Sequence, residues 1–166
     1  SKLIAMQRIA AMRRELKQST AKLEELNLLL KQQANEDGLT KLYNRRYMDT
    51  KLEESIAWHG RRKAYMTIIL LDVDFFKPYN DNYGHIQGDN CLQALAGALK
   101  KLFVRAGEYV GRYGGEEFIL ILGDTDRNFA EQQAQRIQEA LEKINLKHEH
   151  STVSDRVTVS QGVLTF

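Results

Sequence analysis

Proline and cysteine are almost missing from these 166 residues, at one each, and the scarcities exclude whole classes. A lone Cys91 has no partner for an internal disulfide, so a stapled secreted scaffold is out and reducing, cytoplasmic surroundings are expected. No run approaches the ~18 consecutive apolar residues of a spanning helix. Ser1 to Ala11 lacks the apolar stretch and small-residue cleavage site of a secretory leader, so no membrane association is expected of this fragment. An excess of one charge is missing too: 24 Lys and Arg face 22 Asp and Glu. The imbalance is local, +3 over residues 1–36 and −1 over residues 37–166. A nearly neutral globular part argues against gripping a nucleic-acid backbone. What is present, 43% hydrophobic and 28% charged residues, suits one soluble domain with an appendage. The first residue is Ser rather than Met, which leads us to expect a piece of something longer.

The appendage is legible. From Ser1 to Asn35 there is no Gly or Pro, and strong helix formers dominate. Ile9, Leu16, Leu23 and Leu30 return every seventh residue as heptad position a, with Ala5, Met12, Ser19, Leu26 and Gln33 at d. Such a return favours a two-helix seam, weakened at Ser19 and Gln33, over a helix docked on its own domain. The expected division is a coiled-coil linker over 1–36 and a globular domain over 37–166.

Within that domain, Asn44 reads as the N-cap of a helix running to about Trp58, followed by a polar connection over 59–63. Residues 65–73 read as a buried central strand. Residues 74–88, rich in Asn, Asp and Gly, read as a loop, and Cys91, Leu92, Leu95, Leu99 and Leu102 as one helix face. Residues 109–113 and 117–122 are strands joined at Gly114-Gly115, a hairpin signal through the positive φ that favoured turns need. Residues 129–146 form an amphipathic helix and residues 157–166 a last strand. This order indicates an α/β domain with helices flanking a central mixed, largely antiparallel sheet.

Three features could carry chemistry. Asp72 and Asp74 end the apolar strand two residues apart, hence on one side, and hard oxygen ligands of this kind suit Mg²⁺. Alternatively one caps a turn and the other is solvated. Glu116 and Glu117 follow the glycine pair, where a ligand can approach the backbone, or they are a solvated charged turn. Asn80 and Asp89 have the donors and acceptors to read a guanine edge, although Asp89 could equally be the N-cap of the next helix. Other chemistries fall away. There is no G-x-x-x-x-G-K-[ST] and no H-E-x-x-H; His148-Glu149-His150 reads as a solvated loop; Cys91 and Trp58 read as packing residues.

Together these segments resemble the GGDEF domain family, the diguanylate cyclases. Residues 37–46 are similar to its opening D-x-L-T-G-L-x-N-R-R, with Lys41 in place of Gly. Asp72-Val73-Asp74-Phe75-Phe76-Lys77, Asn80-Asp81, Gly84-His85 and Gly88-Asp89 resemble its D-x-D-x-F-K-x-x-N-D-x-x-G-H-x-x-G-D. Arg112 to Phe118 contains the GGEEF form of the name-giving motif, and Ser160-Gln161-Gly162 resembles its late S-x-G strand. The resemblance implies a palm-like nucleotidyl cyclase fold that condenses two GTP into cyclic di-GMP, releasing two pyrophosphates. It implies metal binding by Asp72, the Val73 carbonyl and Glu116. The metal would be Mg²⁺, or Mn²⁺ in its place, with two ions at each half-site of the active dimer. Glu116 would also favour loss of the 3′-hydroxyl proton, with Glu117 assisting. Asn80 and Asp89 would read guanine, amides of Phe75, Phe76 and Lys77 would cradle phosphates, and the Lys77 ammonium would offset charge. A homodimer joined through the N-terminal coiled coil, and an upstream sensor in the full-length protein, complete the expectation.

Two departures matter. The family's inhibitory product site is R-x-x-D, and Arg105-Ala106-Gly107-Glu108 keeps its charge with one more methylene. The family also continues past the last strand into a helix with phosphate-binding Lys and Arg, so this chain, ending at Phe166, is expected to lack that segment. A catalytically inactive module binding GTP or cyclic di-GMP is the alternative.

Overall fold

A computed structural model describes residues 2–166, and the chain divides into two compact units at Asn35–Glu36. The first is a single helix, α1 (Lys2–Asn35), with no buried residue. Ile9, Leu16, Leu23 and Leu30 are all exposed, so within its own unit the heptad stripe covers nothing.

The second unit contains α2 (Arg45–Arg62), β1 (Met66–Val73), α3 (Phe76–Tyr83), α4 (His85–Leu102), β2 (Glu108–Gly114), β3 (Glu117–Gly123), α5 (Arg127–Ile144) and β4 (Val159–Thr165). The sheet order is β2-β3-β1-β4, and all three pairings are antiparallel. Among the described residues, parallel pairing is confined to an isolated bridge between Tyr43 and Gly111.

Alternation along β1 explains the two cores. Ile69, Leu71 and Val73 face one side with Phe118, Leu120 and Leu122, against Cys91, Leu92, Leu95 and Leu99 of α4 and Ile137 and Leu141 of α5. Met66, with Ile119 and Ile121, faces the other side against Met48 of α2. A Cβ on Gly111 would stand 2.1 Å from Met48 Cγ and 2.9 Å from the Tyr43 carbonyl oxygen, so only glycine admits α2 this close to β2.

Several local expectations need correction. The apolar run 65–73 is a central strand but is not buried throughout: Leu70 is 50% exposed. The reason is that α2 lies mainly over β2 and β3 and covers β1 less. The polar stretch 59–62 continues α2, because His59 turns inward (7% exposed). Its Nε2 accepts from the Asp124 amide at 3.2 Å, so Nδ1 carries the proton and donates to the Ser55 carbonyl at 2.8 Å. Lys63, in the left-handed region, then caps the helix. Trp58 is 39% exposed rather than a core residue, with the Arg62 guanidinium 4.1 Å above its ring.

Candidate active site

The end of β1 sets the site. Antiparallel register places Asp72 opposite Glu117 on one side and Ser160 on the other. The Val73 amide donates to the Glu116 carbonyl at 3.3 Å, which ties the hairpin turn to the strand end. Asp72 and Glu117 are exposed and Glu116 is half-buried. The pKa of Asp72 is raised, first by burial and then by the charges of Glu116, Glu117 and Asp74. Carboxylates packed this closely repel one another, and a cation among them relieves that repulsion.

Asp74 does not belong to this open set. Its two oxygens accept from Thr158 Oγ1 at 2.7 Å and Ser160 Oγ at 2.6 Å. Both Asp74 oxygens are thus engaged within the fold, while the register leaves Asp72 opposite Glu117 and next to the turn that carries Glu116. Among the described residues no three His, Cys, Asp or Glu side chains form a metal cage of their own. Mg²⁺ takes one or two carboxylates and completes its shell with phosphate oxygens and water. Asp72 and Glu116, near enough for the Glu116 charge to act on Asp72, are carboxylates of the type that could hold such an ion together with the Val73 carbonyl.

Beyond β1 the chain turns through Phe75, which adopts φ 54°, ψ 35°, a left-handed conformation unusual for an aromatic residue. This turn starts α3 inside the stretch expected to be a loop. Its Asn- and Asp-rich sequence is helical because Phe76 and Tyr79 are buried on one face. Lys77 is exposed, one residue past the helix start. Asn80 Oδ1 is buried without a hydrogen-bond partner. A Cβ on Gly88 would lie 1.8 Å from that oxygen, so only glycine at 88 leaves room for the Asn80 side chain. A buried acceptor without a partner has hydrogen-bonding capacity that nothing in the fold satisfies.

Asp89 is exposed on α4. That helix begins at His85, with Gly84 as its N-cap at φ 84°. The N-cap reading of Asp89 is thereby overturned, because the helix starts one turn earlier than the sequence suggested.

The hairpin at Gly114-Gly115 is present, but positive φ is not its reason: neither glycine has it. The strand register shifts between Arg112 and Gly114, and a Cβ on Gly115 would meet nothing within 4 Å. The glycines leave the backbone bare beside Glu116. Arg112 braces this turn, donating from Nε to the Gly115 carbonyl at 2.9 Å and from Nη1 to Asp37 at 3.2 Å. Burial works against the Asp37 charge, yet hydrogen bonds from the Thr40 hydroxyl and amide, and Arg112, hold its pKa below 3.8.

Arg105 and Glu108 stand apart from this cluster, at the start of β2. Glu108 Oε2 accepts from the Arg105 amide at 2.9 Å. Both residues line a surface groove of about 610 Å³ that also contains Lys41 and Lys100.

Sequence reasoning missed one residue entirely. His148, taken for part of a solvated loop, is 1% exposed, and its Nε2 lies 2.9 Å from the Phe75 carbonyl. A single histidine in a polar run carries no burial signal. Ser160 and Arg112 were visible only as letters within motifs, without their partners, and Thr158 only as part of the last strand.

Comparison with known proteins agrees with this geometry. The family model for the diguanylate cyclase GGDEF domain matches residues 34–166. The chain is 40% identical over 111 residues to diguanylate cyclase DosC of Escherichia coli K12, covering 67% of this chain and 24% of that protein. It is 32% identical over 161 residues to diguanylate cyclase DgcP of Pseudomonas aeruginosa, covering 97% of this chain and 23% of that protein. It thus spans about a quarter of the length of these relatives. Among solved structures, the coiled coil and GGDEF domain of DgcB from Caulobacter crescentus, in complex with c-di-GMP, superposes with a TM-score of 0.77. The identity there is 29%, over 93% of this chain and 83% of that one. Diguanylate cyclase SiaD from Pseudomonas aeruginosa, in complex with its activator SiaC, gives 0.74 at 32% identity, over 97% and 61%. With its motifs in order along the matched span and a palm-like sheet carrying them, the chain belongs to the GGDEF domain family of diguanylate cyclases.

Proposed function

We propose that residues 37–166 form the catalytic domain of a diguanylate cyclase, with residues 1–36 as its dimerising linker. The reaction joins two GTP. The 3′-hydroxyl oxygen of each attacks the α-phosphorus of the other, a phosphorus–oxygen bond forms, and the bond to the pyrophosphate leaving group breaks. Two such steps release two pyrophosphates and two protons and close cyclic di-GMP. The observation that carries this reading is the strand end itself, where the register sets Asp72 opposite Glu117 and the Val73 amide donates to the Glu116 carbonyl at 3.3 Å.

Asp72, Glu116 and the Val73 carbonyl would hold Mg²⁺ or Mn²⁺, which when bound neutralises phosphate charge. Glu116, in the turn tied to Val73, favours removal of the attacking hydroxyl proton, with Glu117 beside it. The orphaned Asn80 Oδ1 accepts from a guanine N–H, and Asp89 on the next helix accepts from the same edge. The amides at Phe75, Phe76 and Lys77 receive phosphate oxygens at the start of α3, where helix N–H groups lack intrahelical partners. The Lys77 ammonium offsets charge that develops in transfer. Arg105 and Glu108, remote from this chemistry, form the product-inhibition site.

One such domain holds one GTP, so two must face each other. The heptad stripe of α1 supplies an apolar seam for a homodimer, and tethering makes the encounter intramolecular. An upstream sensor in a longer protein would act on that seam.

The test is incubation with GTP and Mg²⁺ followed by chromatography for cyclic di-GMP, with Glu116→Gln as the control. Product that disappears in the variant supports the reading. GTP binding without product would instead support the inactive binding module, and absence of GTP binding would remove the cyclase and leave only a module that binds cyclic di-GMP.

A further inference from the structure

We propose that His148 is a positioning residue for the phosphate-binding turn at Phe75–Lys77, acting through the Phe75 carbonyl. The inference rests on the reading that this turn receives the phosphates of GTP, and it adds a residue outside the motifs.

The argument begins with hydrogen-bond roles. A carbonyl oxygen only accepts, so the 2.9 Å contact between His148 Nε2 and Phe75 O fixes the proton on Nε2. Nδ1 is then a bare acceptor, and it is buried without a partner. A buried polar ring that leaves one nitrogen unsatisfied forfeits free energy. The hydrogen bond that the ring does make goes to the backbone of Phe75, which is in the left-handed conformation. The Phe75 carbonyl also accepts from the Tyr79 amide at 3.0 Å, so it is held by two donors from different parts of the chain.

The consequence follows from peptide geometry. The Phe75 C=O and the Phe76 N–H share one planar trans unit and point in opposite directions. Drawing the carbonyl toward His148 and α3 turns the Phe76 N–H the other way, out of the helix start. The left-handed Phe75 has an intrinsic cost, and a second donor on its carbonyl offsets it.

His148 and the segment around it are fastened at several points. Its amide donates to the Asp155 carbonyl at 2.8 Å, and the Val157 amide donates to the Leu146 carbonyl at 2.8 Å. The Tyr79 ring meets the imidazole edge-on at 5.2 Å between centroids, and the Glu149 amide donates to the Tyr83 hydroxyl at 3.0 Å. The segment between α5 and β4 is thus fastened along α3, and from it one N–H reaches the turn.

Two substitutions separate positioning from packing. His148→Phe keeps a ring against Tyr79 and removes the donor; His148→Gln loses the ring and keeps an N–H at about the Nε2 position. With folding checked by thermal melting, Kd for GTP with Mg²⁺ and Kd for guanosine are measured on the whole chain. The expected result is GTP affinity weaker by about three- to tenfold in the Phe variant, the range for one net hydrogen bond. Guanosine affinity stays unchanged, and the Gln variant lies within about twofold of the parent in both. GTP affinity that is unaltered in the Phe variant, or that falls more in Gln than in Phe, overturns the proposal and leaves the cyclase reading intact. Loss of guanosine and GTP binding together also overturns it, since the effect would then not be confined to the phosphates. A parent chain that binds no GTP removes the reading beneath it.

Discussion

Breaking the Asp37–Arg112 pair should cost about 2 kcal/mol, a figure set by its intermediate burial. The side chains are 23% and 18% exposed. Exposed pairs contribute roughly 0–1 kcal/mol, and breaking a buried pair costs roughly 3–5 kcal/mol. Hydrogen bonds to charged groups, at about 1.5–3 kcal/mol, bracket the same value. For a domain of this size the loss corresponds to a fall of roughly 6–10 °C in melting temperature. The assay is urea unfolding of the parent, Asp37→Asn, Arg112→Gln and the double variant at pH 7. A coupling energy of at least about 1 kcal/mol is expected from the cycle. The pH dependence adds a second check. The Asp37 pKa in the folded chain lies below its ordinary 3.8, so its contribution is complete above that value and fades as pH falls through the folded pKa. The parent's advantage over Asp37→Asn should therefore persist at pH 7 and 5 and shrink below about pH 4. A coupling energy under about 0.5 kcal/mol, or an advantage that ignores acid, would refute the reasoning. Because Arg112 also holds the Gly115 carbonyl, Arg112→Gln should slow product formation more than Asp37→Asn does.

The other expectations concern the metal set, the core, the seam and the thiol. Asp72 has a raised pKa, so its ionised form costs stability above that pKa and nothing below its ordinary value. Asp72→Asn should then raise the metal-free melting temperature at pH 7 by about 1 °C, a small effect because Asp72 is solvent-exposed. It should have no effect at pH 3, and the variant should lose stabilisation by Mg²⁺ with GTP. Gly111→Ala, which drives a methyl against Met48 and the Tyr43 carbonyl, should destabilise by about 2–3 kcal/mol in urea. Leu16→Glu with Leu23→Glu should convert a dimer to a monomer in sedimentation and reduce product per chain by tenfold or more. Cys91, whose thiol burial pushes up to about 11, should stay silent to a thiol reagent at pH 8 until urea unfolds the chain.

What the sequence alone determined was local. The α1 helix followed from composition without Gly or Pro. The N-cap at Asn44, which accepts from the Tyr47 amide at 3.0 Å, followed from side-chain chemistry. The amphipathic α5 helix, capped at Asp126, followed from periodicity. Each of these rests on interactions within a few positions of the chain. The start of α3 inside an Asn- and Asp-rich stretch was hidden, because burial of Phe76 and Tyr79 outweighs the turn preference of their neighbours. Asp74 looked like a ligand until Thr158 and Ser160, some 85 positions away, took its oxygens. His148 looked solvated until α3 covered it. Tertiary structure decided which polar groups are satisfied internally and which remain open to a ligand, because a hydrogen bond depends on distance in space rather than on position along the chain.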